Sequence, residues 1–250
     1  MEKAYVKLEI IRQTGYITFH HPSSNAMPAR LLKDLQKTIE QASQNEQIKC
    51  IVLQSEGRTF CAGASFDELM ALKDMTQAVE FFMGFARVIN AMRQTPQFII
   101  VKVQGKAVGG GVGLIAAADY AMATDRAAVK LSELSIGIGP YVIAPAVKRK
   151  IGTAAFAEMS INATGWHTAF WAREKGLFAK VIDDLDSLNE EVEILADKLA
   201  SYDPLATRLL KKEIWAGTEN WEQLLAEKAQ ISAQLTLRDF TRENLKKLKK

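Results

Sequence analysis

The sequence predicts an α/β fold, and three observations support this prediction. The 250 residues are 48% hydrophobic and 24% charged, as expected for one soluble globular domain with a sizeable core. Strand-like and helix-like runs alternate through the first two thirds of the chain, which favours mainly parallel strand pairing. From about residue 188 the pattern is helical only. We therefore expect an α/β core over 1–187 and, over 188–250, a C-terminal helical region that belongs to the same functional unit.

The individual elements follow from hydrophobic periodicity. Two strands span 5–20, joined at Gln13-Thr14-Gly15, and the apolar positions of the next helix, between 31 and 39, share one face. The further predicted elements are a strand at 48–54, helices at 66–72 and 76–94, a strand at 98–104 and a helix at 112–118. After Pro140 the strand signals thin, and Val181-Ile182 is the last candidate. The helical region contains an amphipathic segment at 190–199 and helices that begin near Pro204 and Trp221.

Composition and charge exclude several classes of protein. A net charge of +3 is too small to indicate a nucleic-acid partner. The N-terminus lacks a signal-peptide core or a transit pattern, and no run reaches the ~18 apolar residues of a membrane span. Cys50 and Cys61 are the only cysteines, and we expect both to be free thiols. These features predict a cytoplasmic protein that binds neither nucleic acid nor membrane.

A glycine cluster stands between a strand-like run and a helix-like run. It consists of Gly109, Gly110, Gly111 and Gly113. Glycines there admit a ligand close to the backbone and leave N–H groups for a phosphate or a developing oxyanion. The third glycine of G-x-G-x-x-G is missing, and Lys106 precedes the cluster, so neither a dinucleotide site nor a P-loop fits. An oxyanion site is the better interpretation, and a turn that only packs a helix on a sheet is the alternative.

A second loop and several shorter motifs resemble one known family. Phe60-Cys61-Ala62-Gly63-Ala64 looks like the F-(S/C)-A-G-A-D loop of the crotonase (enoyl-CoA hydratase/isomerase) superfamily, and the glycine cluster resembles its A-x-G-G-G-x-E loop. Segments 21–27, 128–140 and 162–177 are similar to other family motifs in the same order. The resemblance covers nearly the whole chain and implies a crotonase-like ββα spiral core.

The resemblance also implies a substrate and an assembly. The substrate would be an acyl-CoA thioester with no further cofactor, and its carbonyl would accept hydrogen bonds from the backbone amides of Ala64 and Gly110. Small residues would let the thioester lie against the chain, namely Ala62, Gly63, Ser65, Gly109, Gly111 and Gly113. The family further implies a homotrimer or homohexamer. The apolar positions of the helical region fit such contacts, but could equally cover their own domain.

Proton transfer needs a titratable group beside the substrate. The second of the family's two glutamates corresponds to Glu133, which stands among Leu131, Leu134 and Ile136, so burial is expected to raise its pKa. The first glutamate corresponds to Gly113, which cannot transfer a proton. One carboxyl suffices for double-bond migration and favours a 3-enoyl to 2-enoyl shift. Family frequency favours hydration of a 2-enoyl-CoA, including branched substrates of the methylglutaconyl type, and the sequence leaves both open.

Other departures from the family pattern concern the substrate. Ser65 and Asp67 replace an aspartate and a CoA-binding lysine, and Arg58, Lys73 or Lys106 are possible substitutes for that positive charge. Bulky residues beginning at Tyr141 replace a G-x-G-G run. Tyr141 is either a donor to an acyl substituent, as in decarboxylase-like relatives, or a packing residue. A non-catalytic acyl-CoA-binding or scaffold protein is a further alternative.

The remaining polar candidates are assigned structural roles. His20, His21 and His167 lack a metal-ligand pattern, so no metal site is predicted. Asp119 is expected to be a cap or packing partner. A C-terminal run of lysines contains no interleaved aromatic residues, which disfavours RNA binding. These lysines are Lys246, Lys247, Lys249 and Lys250.

Overall fold

A computed structural model describes residues 3–248, and its largest element is a six-stranded sheet. In spatial order the strands are β1 (Tyr5–Ile11), β2 (Thr14–His20), β3 (Cys50–Ser55), β5 (Phe98–Val103), β7 (Tyr120–Thr124) and β10 (Lys180–Ile182). Only the β1–β2 pair is antiparallel. The α/β class is as predicted.

A second, smaller sheet positions the loops of the site. Its strands are β4 (Thr59–Cys61), β6 (Lys106–Val108), β8 (Ala128–Lys130) and β9 (His167–Thr168), and the first three are parallel. Parallel strands end at the same edge of a sheet. The chain therefore leaves β4, β6 and β8 side by side, and the loops that follow them begin at neighbouring positions.

Ten helices complete the described part of the chain. They are α1 (Ala29–Gln44), α2 (Phe66–Ala71), α3 (Met75–Gln94), α4 (Gly110–Ala116), α5 (Ala144–Ile161), α6 (Ala169–Glu174), α7 (Leu185–Ser201), α8 (Pro204–Ile214), α9 (Trp221–Thr236) and α10 (Asp239–Leu248). Three of them begin at an aspartate whose carboxylate accepts an N–H three residues later, namely Asp74, Asp184 and Asp203. Such caps satisfy donors that a helix leaves open at its first turn.

Both faces of the large sheet are covered. Helices α1 and α3 pack in the main core on one face, while α7 packs over a smaller cluster that includes Val52, Ile100 and Leu188. Strands buried on both faces need apolar side chains at successive positions, which explains runs such as Phe98–Val103. Cys50 and Cys61 are buried free thiols, as expected.

The helical region folds back onto its own core. Leu225, Ala229 and Ala233 are fully buried, and α9 packs along α3 of the same chain. Part of this apolar face therefore covers the chain's own domain. Assembly into trimers or hexamers stays a prediction. No helix within 3–248 is both long and apolar enough to cross a bilayer.

A buried ion pair ties α8 to the large sheet. The Lys211 ammonium lies 2.9 Å from the Asp119 carboxylate and donates to the carbonyls of Met92 and Gln97. Asp119 also accepts hydrogen bonds from the Ile99 amide and the Trp215 indole. The prediction that Asp119 is a packing partner is therefore confirmed.

The observed elements differ from the predicted ones at several points. The first hairpin turns at Arg12-Gln13, and Thr14 and Gly15 already belong to β2. Strands β4, β6, β7, β8 and β9 and helices α5 and α6 were not predicted. The predicted helix at 112–118 begins two residues earlier, at Gly110. Lys249 and Lys250 lie outside the described residues, whereas Lys246 and Lys247 are exposed on α10.

Candidate functional site

Three loops meet around one cavity at the edge of the small sheet. They follow β4, β6 and β8 and contribute Ala62–Ala64, Val108–Gly110 and Ser132–Glu133 to its wall. The cavity is narrow, with a volume of about 50 Å³, and most of the remaining wall is apolar. Of the lining residues, Glu133 alone carries a side chain that ionises near neutral pH.

The first loop is held in place by its backbone. The Met27 amide donates to the Gly63 carbonyl at 2.8 Å, and the Ser65 amide donates to the Met27 carbonyl at 3.2 Å. Gly63 has φ +89°, and a Cβ there would lie 2.9 Å from the Val108 carbonyl oxygen. Glycine is therefore required for both conformation and space. In the described hydrogen-bond network the amide of Ala64, between these bonded residues, donates to no protein acceptor.

The second loop places another open amide beside the first. Gly109 has φ +52°, and its amide donates to the Lys130 carbonyl at 2.9 Å, which fixes the loop against β8. Gly110 opens α4, and its amide likewise has no acceptor within 3–248. The Gly110 nitrogen is 3.8 Å from the point that a Cβ on Gly63 would occupy. Each of the two loops thus contributes a residue with an unpaired amide to the wall of the cavity.

Glu133 lies against this pair of loops. A Cβ on Gly109 would meet the Glu133 Oε1 at 2.7 Å, so the carboxyl rests on the second loop. Its Oε2 is buried and has no hydrogen-bond partner among the described residues. Burial raises the pKa of the Glu133 carboxyl to about 7, and a hydrogen bond from its own backbone amide opposes that rise. The predicted direction of the shift is correct, but Leu134 is 52% exposed and does not enclose the carboxyl.

The space beside Gly113 is filled by another residue. A Cβ on Gly113 would lie 2.4 Å from Cγ2 and 2.8 Å from Cβ of Ile143. Real Cβ atoms essentially never approach other atoms this closely, and Ile143 Cβ cannot move without its backbone. Ile143 is buried, and it lines the cavity. Gly113 and one of the bulky residues after Pro140 therefore form one structural feature.

The other predicted site residues divide into two groups. Tyr141 lines the cavity at its more open side and is 38% exposed. Ser65, Gly111 and Gly113 lie behind the wall. Ser65 Oγ accepts the Glu68 amide at 3.4 Å and caps α2, while Gly111 packs on Cys61.

The remaining charged and polar candidates lie elsewhere. Lys106 Nζ is 4.9 Å from the ring centroid of Trp166, on the outer face of the small sheet. The ring of His167 lies 4.1 Å from that of Trp171, and His21 Nδ1 accepts the Ser23 amide. Within the described chain no three His, Cys, Asp or Glu side chains form a group that could hold a metal ion.

Ile143 and Ser232 are among the wall residues that the sequence analysis did not assign to the site. Ile143 belongs to a segment noted only as bulky. Ser232 comes from α9, far along the chain from the other wall residues, and lines the same cavity. Its only signal in the sequence is a polar residue on the buried face of an amphipathic helix.

Comparison with known proteins agrees with this architecture. The enoyl-CoA hydratase from Bacillus halodurans has a solved structure that superimposes with a TM-score of 0.91 at 22% identity, covering 97% of this chain and 99% of that one. The profile of the enoyl-CoA hydratase/isomerase family matches residues 9–247. YngF of Bacillus subtilis (strain 168), named as an enoyl-CoA hydratase/isomerase, is 33% identical over 209 residues, which are 81% of this chain and 78% of YngF.

The fold is therefore that of the crotonase superfamily. The chain belongs to the enoyl-CoA hydratase/isomerase family. Membership alone does not define the reaction. A Rhodococcus jostii relative that is 26% identical over 201 residues, 79% of this chain and 75% of its own length, is named (7aS)-7a-methyl-1,5-dioxo-2,3,5,6,7,7a-hexahydro-1H-indene-carboxyl-CoA hydrolase.

Proposed function

We propose that the protein is an enoyl-CoA isomerase that converts a 3-enoyl-CoA into a 2-enoyl-CoA. The amides of Ala64 and Gly110 hold the thioester oxygen. The Glu133 carboxylate removes a proton from the carbon next to the carbonyl, and the electron pair is delocalised as a dienolate. Glu133 then returns the proton to the γ carbon, so the double bond moves and the carboxylate is regenerated.

The observation that carries this proposal is the contact between Gly113 and Ile143. Hydration in this family uses a carboxyl at each of two positions, and here Ile143 occupies the space that the first would need. A water molecule bound at that point would face aliphatic groups and lack the polar partners that ordered water requires. Isomerisation needs neither the water nor the second carboxyl.

The energetics of the site suit this chemistry. Each oxyanion donor contributes about 3 to 4 kcal/mol to the stabilisation of an enolate-like transition state. A carboxyl with a pKa of about 7 can both accept and release a proton near neutral pH. Burial, which raises that pKa, thus makes Glu133 a stronger base than an exposed glutamate.

The charge of the cavity argues against two alternatives. Neither lysine, arginine nor histidine is among its lining residues. A second carboxylate on the acyl group would be buried without a counter-charge, which is costly. This disfavours a methylglutaconyl-type substrate and a decarboxylase that binds a free carboxylate. The retained Glu133 and the open amides favour catalysis over a scaffold role.

The proposal is tested by following isotopes with purified protein. Incubation of 3-hexenoyl-CoA deuterated at its α carbon should give 2-hexenoyl-CoA with part of that label transferred to the γ carbon, and Glu133→Gln should reduce the rate at least about 1,000-fold. Glu213→Gln, at an exposed site on α8, is the matched control and should retain wild-type rates. Full activity in Glu133→Gln would remove this carboxyl from the mechanism.

A second arm separates isomerisation from hydration. In heavy-oxygen water, wild-type protein with crotonyl-CoA should give no labelled 3-hydroxyacyl product. Restoring the glutamate as Gly113→Glu together with Ile143→Gly should introduce such labelling. Rapid labelling by the wild-type protein would instead identify a hydratase and refute the proposal.

A further inference from the structure

The cavity wall contains a second buried polar group that the proposed reaction does not use. Ser232 is 1% exposed, and its Oγ has no hydrogen-bond partner in the described part of the chain. The residue lines the same cavity as Glu133 and the two loops with open amides. A hydroxyl that faces an apolar cavity without a partner is unfavourable by about 1 to 3 kcal/mol.

The position of Ser232 on its helix makes the hydroxyl unusual. Leu225, Ala229, Ala233 and Thr236 are the buried residues around it on α9, which packs on α3. Thr236 satisfies its own hydroxyl by donating to the Ser232 carbonyl at 2.8 Å. The Ser232 hydroxyl makes no equivalent bond one turn earlier within the described residues, although serines inside helices commonly do. The Ser232 hydroxyl can therefore bond a ligand atom inside the cavity.

The other polar side chains of the wall either lie near the groups of the proposed reaction or are partly exposed to solvent. Ser132 and Glu133 follow β8 and lie by the oxyanion loops, while Tyr141 stands at the partly exposed side. Ser232 belongs to a different helix, and α3 contributes Phe82 and Phe85 to the same wall. A ligand atom that pairs with Ser232 is therefore held by α9, an element separate from those that carry Glu133 and the two open amides.

We infer that Ser232 is a specificity-determining residue that hydrogen-bonds an uncharged oxygen substituent, a hydroxyl or a keto group, on the acyl chain of the substrate. The inference rests on the proposed function, in which the thioester oxygen is bound by the amides of Ala64 and Gly110. The substituent is uncharged because none of the lining side chains is cationic. The substrate class is then an oxygenated enoyl-CoA, not a plain hydrocarbon chain.

Binding experiments test this without requiring turnover. The ligands are hexanoyl-CoA and analogues that carry one hydroxyl or keto group at successive carbons beyond the reacting positions, and calorimetry gives Kd for each. We expect one oxygenated analogue to bind the wild-type protein about 5-fold to 150-fold more tightly than hexanoyl-CoA. Ser232→Ala should abolish that preference and increase the affinity for hexanoyl-CoA.

A matched control separates the effect of Ser232→Ala on ligand preference from the effect of removing any buried hydroxyl group. Ser160 Oγ is also buried and unpartnered among the described residues, but it lines a neighbouring groove outside the acyl cavity. Ser160→Ala should keep the wild-type preference. A wild-type protein that binds all analogues no better than hexanoyl-CoA, or a Ser232→Ala variant that retains the preference, would overturn the inference.

The two proposals fail in different ways. If acyl-CoA ligands bind with the expected preference but no 3-enoyl-CoA is isomerised, the inference about Ser232 holds and the proposed reaction is wrong. If isomerisation proceeds and depends on Glu133, while Ser232→Ala changes kcat/KM for oxygenated and hydrocarbon substrates by the same factor, the reaction holds and the inference is wrong.

Discussion

Exchanging volume between positions 113 and 143 tests the feature on which the proposed reaction depends. Gly113→Ala places a Cβ 2.4 Å from Ile143 Cγ2, where ordinary contacts begin at 3.4 Å. Overpacking of this kind lowers the free energy of unfolding by up to about 3 kcal/mol. Alanine raises it by about 1 kcal/mol, because alanine favours the α4 helix more than glycine does. A net destabilisation of about 2 kcal/mol is expected.

The second half of the cycle removes the isoleucine. Ile143→Gly creates a buried void and should destabilise the protein by about 4 kcal/mol. In the double variant the new methyl group occupies part of that void, so the clash disappears while the helix gain remains. We therefore expect the double variant to be about 3 kcal/mol more stable than additivity of the two single variants gives.

Urea denaturation followed by circular dichroism gives the four free energies of unfolding, provided that the m-values agree. Gly113→Ala combined with Val142→Ala is the control pair. Val142 is the neighbour of Ile143 in sequence, but the three heavy atoms nearest to a Cβ at 113 all belong to Ile143. The control should be additive. A coupling energy below about 0.5 kcal/mol between Gly113 and Ile143 would refute the argument that the two positions share one space.

Three further predictions concern charge and backbone. Since the folded-state pKa of Glu133 is raised to about 7, its contribution to stability is present below about pH 4.5 and is lost as the pH rises through 7. Between pH 4.5 and 8 the free energy of unfolding should therefore fall by about 3 kcal/mol more in the wild-type protein than in Glu133→Gln, as measured by urea denaturation at the two pH values. Identical pH profiles for the two proteins would contradict the burial of the carboxyl. Lys211→Met should lower the free energy of unfolding by about 3 to 5 kcal/mol in the same assay, because it leaves the Asp119 carboxylate buried without its partner. Adding Asp119→Asn should restore part of that free energy, and no restoration would show that the two residues are not coupled. Gly63→Ala should lower kcat about 100-fold, because the new Cβ displaces the loop that carries the Ala64 amide. Gly57→Ala is the control, since Gly57 also has a positive φ but has no atom within 4 Å of a Cβ there, and kcat should not fall. Equal kcat values for the two variants would refute a role of this loop in catalysis.

The large sheet could be predicted because its strands are long enough to show a pattern. Strands such as Cys50–Ser55 and Phe98–Val103 are nearly continuous apolar runs. The small sheet could not be predicted in this way, because three-residue strands do not display a period of two. Strand β7 was missed for a different reason, since Tyr120–Thr124 follows the helix-like alanine run at 116–118 and contains two alanines of its own.

The site was predictable to the extent that its loops carry motifs. The motif match located Glu133 and the loops around Gly63 and Gly110, because their glycines are needed locally. The contact between Gly113 and Ile143 joins positions thirty residues apart, and no local pattern reports it. Ser232 was equally invisible, since the α3–α9 packing that brings it to the cavity is a tertiary property.

The cavity is built from two distant stretches of the chain, and this division has an evolutionary consequence. In the proposed reaction the stretch around residues 60–140 activates the thioester, whereas α9 supplies a separate part of the cavity wall. Replacing a single residue on α9 can thus redirect the protein to a new metabolite while leaving its reactive centre intact. Substrate choice can diverge among descendants of such a chain faster than the chemistry they perform.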